Sequence, residues 1–325
     1  MKLATYQDGS RDGQLVVVSR DLSQAHYASG IASRLQQVLD DWNFLAPQLA
    51  ELYADLNQGR APHAFAFEPA RCLAPLPRAS QHAIGQAWPG AGQAPRRGAA
   101  SPPPMYQGAG DALLGACAPV RLPAEGLDID FEAGLAAITA DIPAGATPEA
   151  ALHGVRLLAL VSVVALRQLE AAERAAGLGL LRARPATAFS PVAVTPDELE
   201  GAWQDGRIHL TLQCSCNGRR VGMCEAGSDM AWHLGELIAH LATTRSVRAG
   251  TIVAAAPVAN RDAARGWASI AERRRIEQAE AGAPATGWLR FGDSVRVEMK
   301  SRLGHSVFGA IEQTFAPLHD AGEAF

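Results

Sequence analysis

The chain has 325 residues, 48 % of them hydrophobic, with 29 basic and 33 acidic side chains and a formal net charge of −4. That length buries a sizeable core without covalent staples, and the absence of long like-charge runs excludes DNA or RNA as the main partner. The longest apolar run, 157–166, is about half of what a bilayer span requires, and the first eighteen residues lack the apolar core of a secretory signal, so a cytoplasmic protein without membrane association is expected.

In chain order, the turn-rich "QDGSRDGQ" ahead of the β-branched run at 16–18 predicts a short hairpin. From 31 to 57, Leu35, Val38, Leu39, Trp42, Leu45, Leu49, Leu52 and Leu56 recur at three- and four-residue steps, which predicts one or two amphipathic helices broken near Pro47. "NQGRAPHAF" reads as a linker, placing a small N-terminal domain at 1–68 and a larger one at 69–325. Residues 85–115 are rich in Gly, Ala and Pro without apolar periodicity and read as a long lid or binding loop.

Beyond the lid, strands are predicted at 129–139, 155–165 and 251–258, in "SVRVEM" and "SVFGAIEQTF", and in a hairpin turning at Asn217-Gly218. Thr147-Pro148-Glu149 predicts one helix start, and Ser228-Asp229 predicts the cap of another. The fold class is α+β, weighted to β.

The five cysteines, Cys72, Cys117, Cys214, Cys216 and Cys224, are an odd set expected to remain free thiols in a reducing compartment. Cys214 and Cys216 share a strand face, but the turn register sets Cys214 opposite Val221 and leaves Cys224 further off, so zinc ligands do not converge. His233, Glu236 and His240 share a helical face, where packing or solvent exposure is expected rather than a metal. "ERRRIEQ" reads as the solvated face of a helix, and the chain has neither a nucleophile elbow nor a phosphate loop. In "DIDFEAGLAAIT", Glu132 is followed on its own strand face by Gly134, where a second acid would complete an acidic pair.

On "PATAFSPVAVTPDEL", "LRFGDSVRVEM", "GAIEQ" and "GTIVAAAPVAN", the sequence resembles the fumarylacetoacetate hydrolase family, in particular bacterial members with a small N-terminal domain. The likeness runs from "GSRDGQLVVVSRDL" through "PMYQG" to "FGAIEQ". It implies a mixed β-sandwich roll, commonly a homodimer, that cleaves C–C bonds in 1,3-diketo acids or decarboxylates and isomerises related oxo-acids around Mg²⁺, Mn²⁺ or Ca²⁺. In such a site the dication chelates the substrate's paired oxygens, a His activates water and a Lys supports the oxyanion.

Residue by residue, the resemblance puts the family's first acidic ligand and its catalytic His at Ile84 and Ala91. The F-E-x-E ligands fall at Glu132 and Gly134, and the fourth ligand at Val163. The Lys becomes Arg184, and the G-S-G-T segment becomes Ala254-Ala255-Ala256-Pro257. A hard dication takes about six oxygen ligands, so the metal site is expected to be lost and no cofactor is expected.

What persists is Glu132, Arg184 and Tyr106 as the catalytic candidates, with Arg167, Asn260 and His82 as substrate-binding ones. Glu132 is the candidate acid or base and Arg184 the anion clamp, while His82, at the pocket entrance, is the one histidine placed to replace the lost one. The plain alternative is that both arginines merely neutralise Glu132 in a relict site. The leading expectation is a metal-independent pseudoenzyme or binding protein for a small anionic oxo-acid or enol. Its rivals are a metal-independent cyclase, decarboxylase or condensing enzyme on a β-dicarbonyl, and a metal-dependent acylpyruvate-type hydrolase drawing ligands from Asp128 or Asp130. A homodimer is expected in each case.

Overall fold

A computed structural model describes residues 1–90, 102–177 and 179–318. Its organising unit is the antiparallel pair of Ile129–Thr139 with Val155–Leu166, at the middle of a 12-stranded mixed sheet. Both strands are near-continuous apolar runs because both faces of the sheet are covered. Side chains alternate across the sheet: Phe131, Ala133, Leu135 and Ala137 enter one core, and Ala136 and Ile138 the other. The fold is α+β and β-rich, as read from the sequence.

On one flank Lys2–Tyr6 pairs with Ala193–Val194 and carries the strands of the first 66 residues into the same sheet. On the other flank come Ile252–Ala255, His82–Gly85 and Met105–Gln107. A 5-stranded sheet of Arg219–Glu225, Thr211–Cys216, Ser294–Met299, Ile311–Pro317 and Val120–Leu122 forms the other layer.

Several sequence readings need correction. The N-terminal helical run breaks at Asp41, whose φ of −129° and ψ of 49° are not helical, and Pro47 lies inside the Trp42–Asn57 helix. There it removes one N–H from the ladder without ending the helix. Asp229 caps no helix, because its Oδ2 accepts from Asn260 Nδ2 and from the Arg261 N–H at 3.1 Å each. That helix runs Leu234–Leu241, and the Glu236 carboxylate accepts from the His233 N–H at 2.8 Å.

Asn217 (φ 49°) and Gly218 (φ 72°) supply the positive angles a type I′ turn requires. A bulge between Cys214 and Ser215 then shifts the register, so that Cys214 faces Gly222 and not Val221. The expected 251–258 strand is shorter, Ile252–Ala255. The expected 85–115 lid contains two strands: Met105–Gln107 pairs with His82–Gly85, and Leu113–Leu114 with Thr187–Phe189. Edge pairing satisfies backbone groups that a free loop would leave to water.

Candidate functional site

The register of the central pair sets Glu132 opposite Val163 and Gly134 opposite Val161. Ile84, Val163, Ala254 and Ala256 are all buried in the core that also takes Ala136 and Ile138. Of the four positions that the resemblance assigns to acidic ligands, Ile84, Gly134 and Val163 thus carry no polar side chain and Glu132 alone keeps a carboxylate; an apolar side chain carries no desolvation cost there and an unpaired acid does.

Gly134 is fixed by space. A Cβ at that position would overlap the Ala255 carbonyl oxygen and lie 2.7 Å from the Ala256 Cβ, so the neighbouring chain fills the volume a second acid would need. Ala91, aligned with the family's His, lies outside the described residues. Among the described residues no group of three or more His, Cys, Asp or Glu side chains is arranged to hold a metal ion. The described residues do not fit a family-type divalent centre.

An ion-pair cluster surrounds Glu132. Glu132 is 1 % exposed and Arg184 2 %. Glu132 Oε1 accepts from Arg167 Nη2 at 2.8 Å and from Arg184 Nη2 at 3.0 Å. Arg167, the first residue of the Arg167–Ala176 helix, also reaches Asp130 Oδ2 from Nη2 at 2.6 Å and from Nε at 3.0 Å. Asp130 in turn accepts from the Ile270 N–H at 2.7 Å and the Ala271 N–H at 3.0 Å, at the start of the Ile270–Ala281 helix. That carboxylate holds a helix N-terminus and a guanidinium together.

Glu170 closes the cluster from the helix side. Its Oε2 accepts from Arg167 Nη1 at 2.6 Å and from Arg184 Nη1 and Nη2 at 3.2 Å each, and its Oε1 accepts from Arg174 Nε at 2.9 Å. Burial alone would raise the Glu170 carboxyl, but Arg184 and Arg167 outweigh it and pull the pKa down to about 2. Burial opposes the charge on both arginines too, and the flanking carboxylates hold each above the ordinary guanidinium value.

Tyr106 completes the arrangement. Its hydroxyl accepts from Arg184 Nε at 3.1 Å, and the guanidinium carbon lies 5.5 Å from the ring centroid. Burial, then the nearby Glu132 carboxylate, pushes the phenol well above its usual range. Glu132 Oε2 is buried and accepts no hydrogen bond among the described residues.

Glu132, Arg184, Tyr106 and Arg167 are thus brought together, while Asn260 and His82 are placed otherwise. Asn260 ties its loop to the end of the Arg219–Glu225 strand: its Oδ1 accepts from the Glu225 N–H at 2.9 Å and its Nδ2 donates to the Glu225 carbonyl at 3.0 Å. His82 is 1 % exposed, so it is not at a pocket entrance. Its Nδ1 lies 3.3 Å from the Ala109 carbonyl, its ring is 6.0 Å from that of Phe189, and burial lowers its pKa to about 4.

Asp130 is taken up by Arg167 and the helix N-terminus, and Asp128 Oδ2 pairs with Gln168 Nε2 at 3.3 Å. Asp130 thus has both carboxylate oxygens engaged, and Asp128 belongs to no metal-holding group among the described residues. The arginines also depart from the expected anion clamp. All five N–H groups of Arg184 are engaged, with Tyr106, Glu170, the Ala183 carbonyl and Glu132.

Glu170 and the role of Asp130 were missed in the sequence. The available signal was the i, i+3 and i, i+4 spacing of Arg167, Glu170 and Arg174 on a helix continuing directly from the strand.

Residues 1–78 match the family described as Fumarylacetoacetase N-terminal domain 2, and residues 76–316 that described as Fumarylacetoacetate (FAA) hydrolase C-terminal. No curated protein matches the chain. Among solved structures, the fumarylacetoacetate hydrolase of the psychrophile Exiguobacterium antarcticum superposes with a TM-score of 0.68 at 17 % identity, over 98 % of this chain and 99 % of that one. The maleylpyruvate hydrolase of Sphingobium sp. SYK-6, in complex with manganese(II) and pyruvate, gives 0.67 at 17 % identity over 98 % and 100 %. A 2-hydroxyhepta-2,4-diene-1,7-dioate isomerase from Mycobacterium marinum gives 0.62 at 16 % identity over 99 % and 100 %. At such identities the likeness carries the fold, and the two sequence matches, which together run through almost the whole length, carry the kinship: the chain belongs to the fumarylacetoacetate hydrolase family.

Proposed function

We propose that this protein is a divergent family member in which an internal ion-pair cluster has replaced the divalent-metal centre. On this reading it acts, without a metal, as a pseudoenzyme or binding protein for a small oxo-acid or enol. The observation that carries the reading is the joint state of two neighbouring positions. Glu132 Oε1 is held by Arg167 and Arg184, and the Gly134 position is closed by Ala255 and Ala256. Elemental analysis of the purified protein tests it, together with an acylpyruvate cleavage assay in the presence and absence of Mn²⁺. The reading expects no stoichiometric dication and no Mn²⁺-dependent cleavage, and either result in the opposite sense overturns it. Sedimentation at micromolar concentration tests the accompanying expectation of a homodimer.

One feature supports a second reading, a metal-independent enzyme acting on a β-dicarbonyl. Glu132 Oε2 is a buried acceptor without a hydrogen-bond donor among the described residues, and Tyr106 binds the same guanidinium as Glu132 Oε1. A buried acceptor of this kind suits a ligand that brings its own proton, such as an enol. Turnover of a β-keto compound that vanishes in both Glu132→Gln and Arg184→Ala selects this reading; turnover that survives both excludes it.

A further inference from the structure

A carboxylate resting against two guanidiniums is how proteins recognise a carboxylate ligand, because the planar donors match the carboxylate lone pairs. In this chain that ligand is a side chain. The three acids of the cluster arrive from two directions: Asp130 and Glu132 belong to the Ile129–Thr139 strand and Glu170 to the Arg167–Ala176 helix. The two strand acids are sealed, with side chains at most 2 % exposed, whereas Glu170 is 11 % exposed and is joined to Arg174, itself 53 % exposed. Glu170 is also the one acid whose single oxygen, Oε2, accepts from three guanidinium nitrogens of Arg167 and Arg184. It thus occupies, at the solvent side, the donors that an incoming carboxylate would use.

We propose that Arg167 and Arg184 form a carboxylate-binding seat that the chain fills with its own Glu170, so that this residue denies the seat to small free carboxylates. The inference rests on the reading of the centre as metal-free. It names the ligand class the arginines would otherwise take, a monocarboxylate of acetate size, and makes Glu170 a specificity-determining residue. Shortening it to Ala leaves the buried Arg184 and the partly exposed Arg167 guanidiniums facing a vacated volume, a state that an external carboxylate relieves.

The test is thermal unfolding of the wild type and of Glu170→Ala in sodium acetate and in sodium chloride at matched ionic strength. Acetate is expected to raise the Tm of Glu170→Ala above its chloride value by about 2 °C or more, the size a ligand at a few times its Kd produces. The wild type is expected to show no such difference. Equal responses of the two proteins, or none in the variant, overturn the proposal. Should Glu170→Ala not fold in either salt, Glu170→Ser removes the carboxylate while keeping a small polar side chain: acetate must then raise its Tm above the chloride control, and any other result overturns the proposal. A stoichiometric dication in the wild type brings down the reading of the centre. A metal-free wild type with an acetate-blind variant brings down this inference alone.

Discussion

Glu132 Oε1 and Arg184 Nη2 lie 3.0 Å apart with both side chains all but removed from solvent, and Glu132 Oε2 remains without a partner among the described residues. A buried pair of this kind contributes little relative to an apolar replacement of both partners, while loss of one partner strands the other's charge in a low-dielectric interior. Arg184→Ala is therefore expected to cost about 3–5 kcal/mol, because it leaves Glu132 and Glu170 with one fewer counter-charge. Glu132→Leu combined with Arg184→Met is expected to recover a large part of that loss. Urea denaturation of the single and double variants measures it, and a double variant no more stable than Arg184→Ala contradicts the account.

Introducing an acid at Gly134 is not expected to create a metal centre. Its Cβ would overlap the Ala255 carbonyl oxygen before any carboxylate is placed. Gly134→Ala alone is expected to lower stability by about 1–3 kcal/mol, the usual cost of overpacking, and Gly134→Glu by more, with no gain in Mn²⁺ affinity by calorimetry. A Gly134→Glu variant that folds normally and binds Mn²⁺ tightly would falsify the steric argument.

Acid sensitivity separates into two windows. Burial depresses His82 from 6.5 to about 4, so the unfolded chain takes up a proton there before the folded one does. Its contribution to stability is complete above the unfolded value and is lost as pH falls from about 6.5 through about 4. Glu170 is depressed from 4.5 to about 2, so its contribution is complete above about 4.5 and is lost as pH falls through about 2. Chemical denaturation at stepped pH is expected to show a shallower decline between 6.5 and 4 in His82→Gln, and between 4.5 and 2 in Glu170→Gln. Curves parallel to the wild type in these windows would remove the assigned causes.

The thiols provide an independent check on the packing. All five cysteines are free; Cys72, Cys214 and Cys224 are buried, and Cys117 and Cys216 are partly exposed. Burial raises the thiol pKa of Cys216 to about 12, and desolvation raises that of Cys214 well above its usual value. Alkylation of the native protein near pH 8 is expected at Cys117 first, with Cys214 labelled only after unfolding. Early labelling of Cys214, read by peptide mass mapping, would contradict the hairpin placement.

The sequence by itself determined the elements whose signals are local. The 129–139 strand is a mainly apolar run broken by Asp130 and Glu132 near its start, Thr147-Pro148 announces a helix start, and Asn217-Gly218 can turn a hairpin with positive φ at both residues; each reads correctly because a few adjacent residues encode it. The motifs around 184–199 and 290–313 carried the family and hence the fold. Apart from the helical spacing that brings Glu170 to Arg167 and Arg174, the disposition of charge was decided by tertiary structure. Glu132, Arg167 and Arg184 are read together through the resemblance as an open, anion-binding set, but whether a guanidinium is free depends on every carboxylate that reaches it. Glu170 reaches both arginines from a helix continuing from a strand end, and Asp130 reaches Arg167 from the partner strand, 37 residues away in sequence. In the same way, the reason Gly134 carries no side chain is the approach of Ala255 and Ala256, more than a hundred residues away in sequence. Local sequence sets backbone propensity and which groups are charged; only packing sets which charges meet, because Coulomb and steric terms depend on through-space distance and burial.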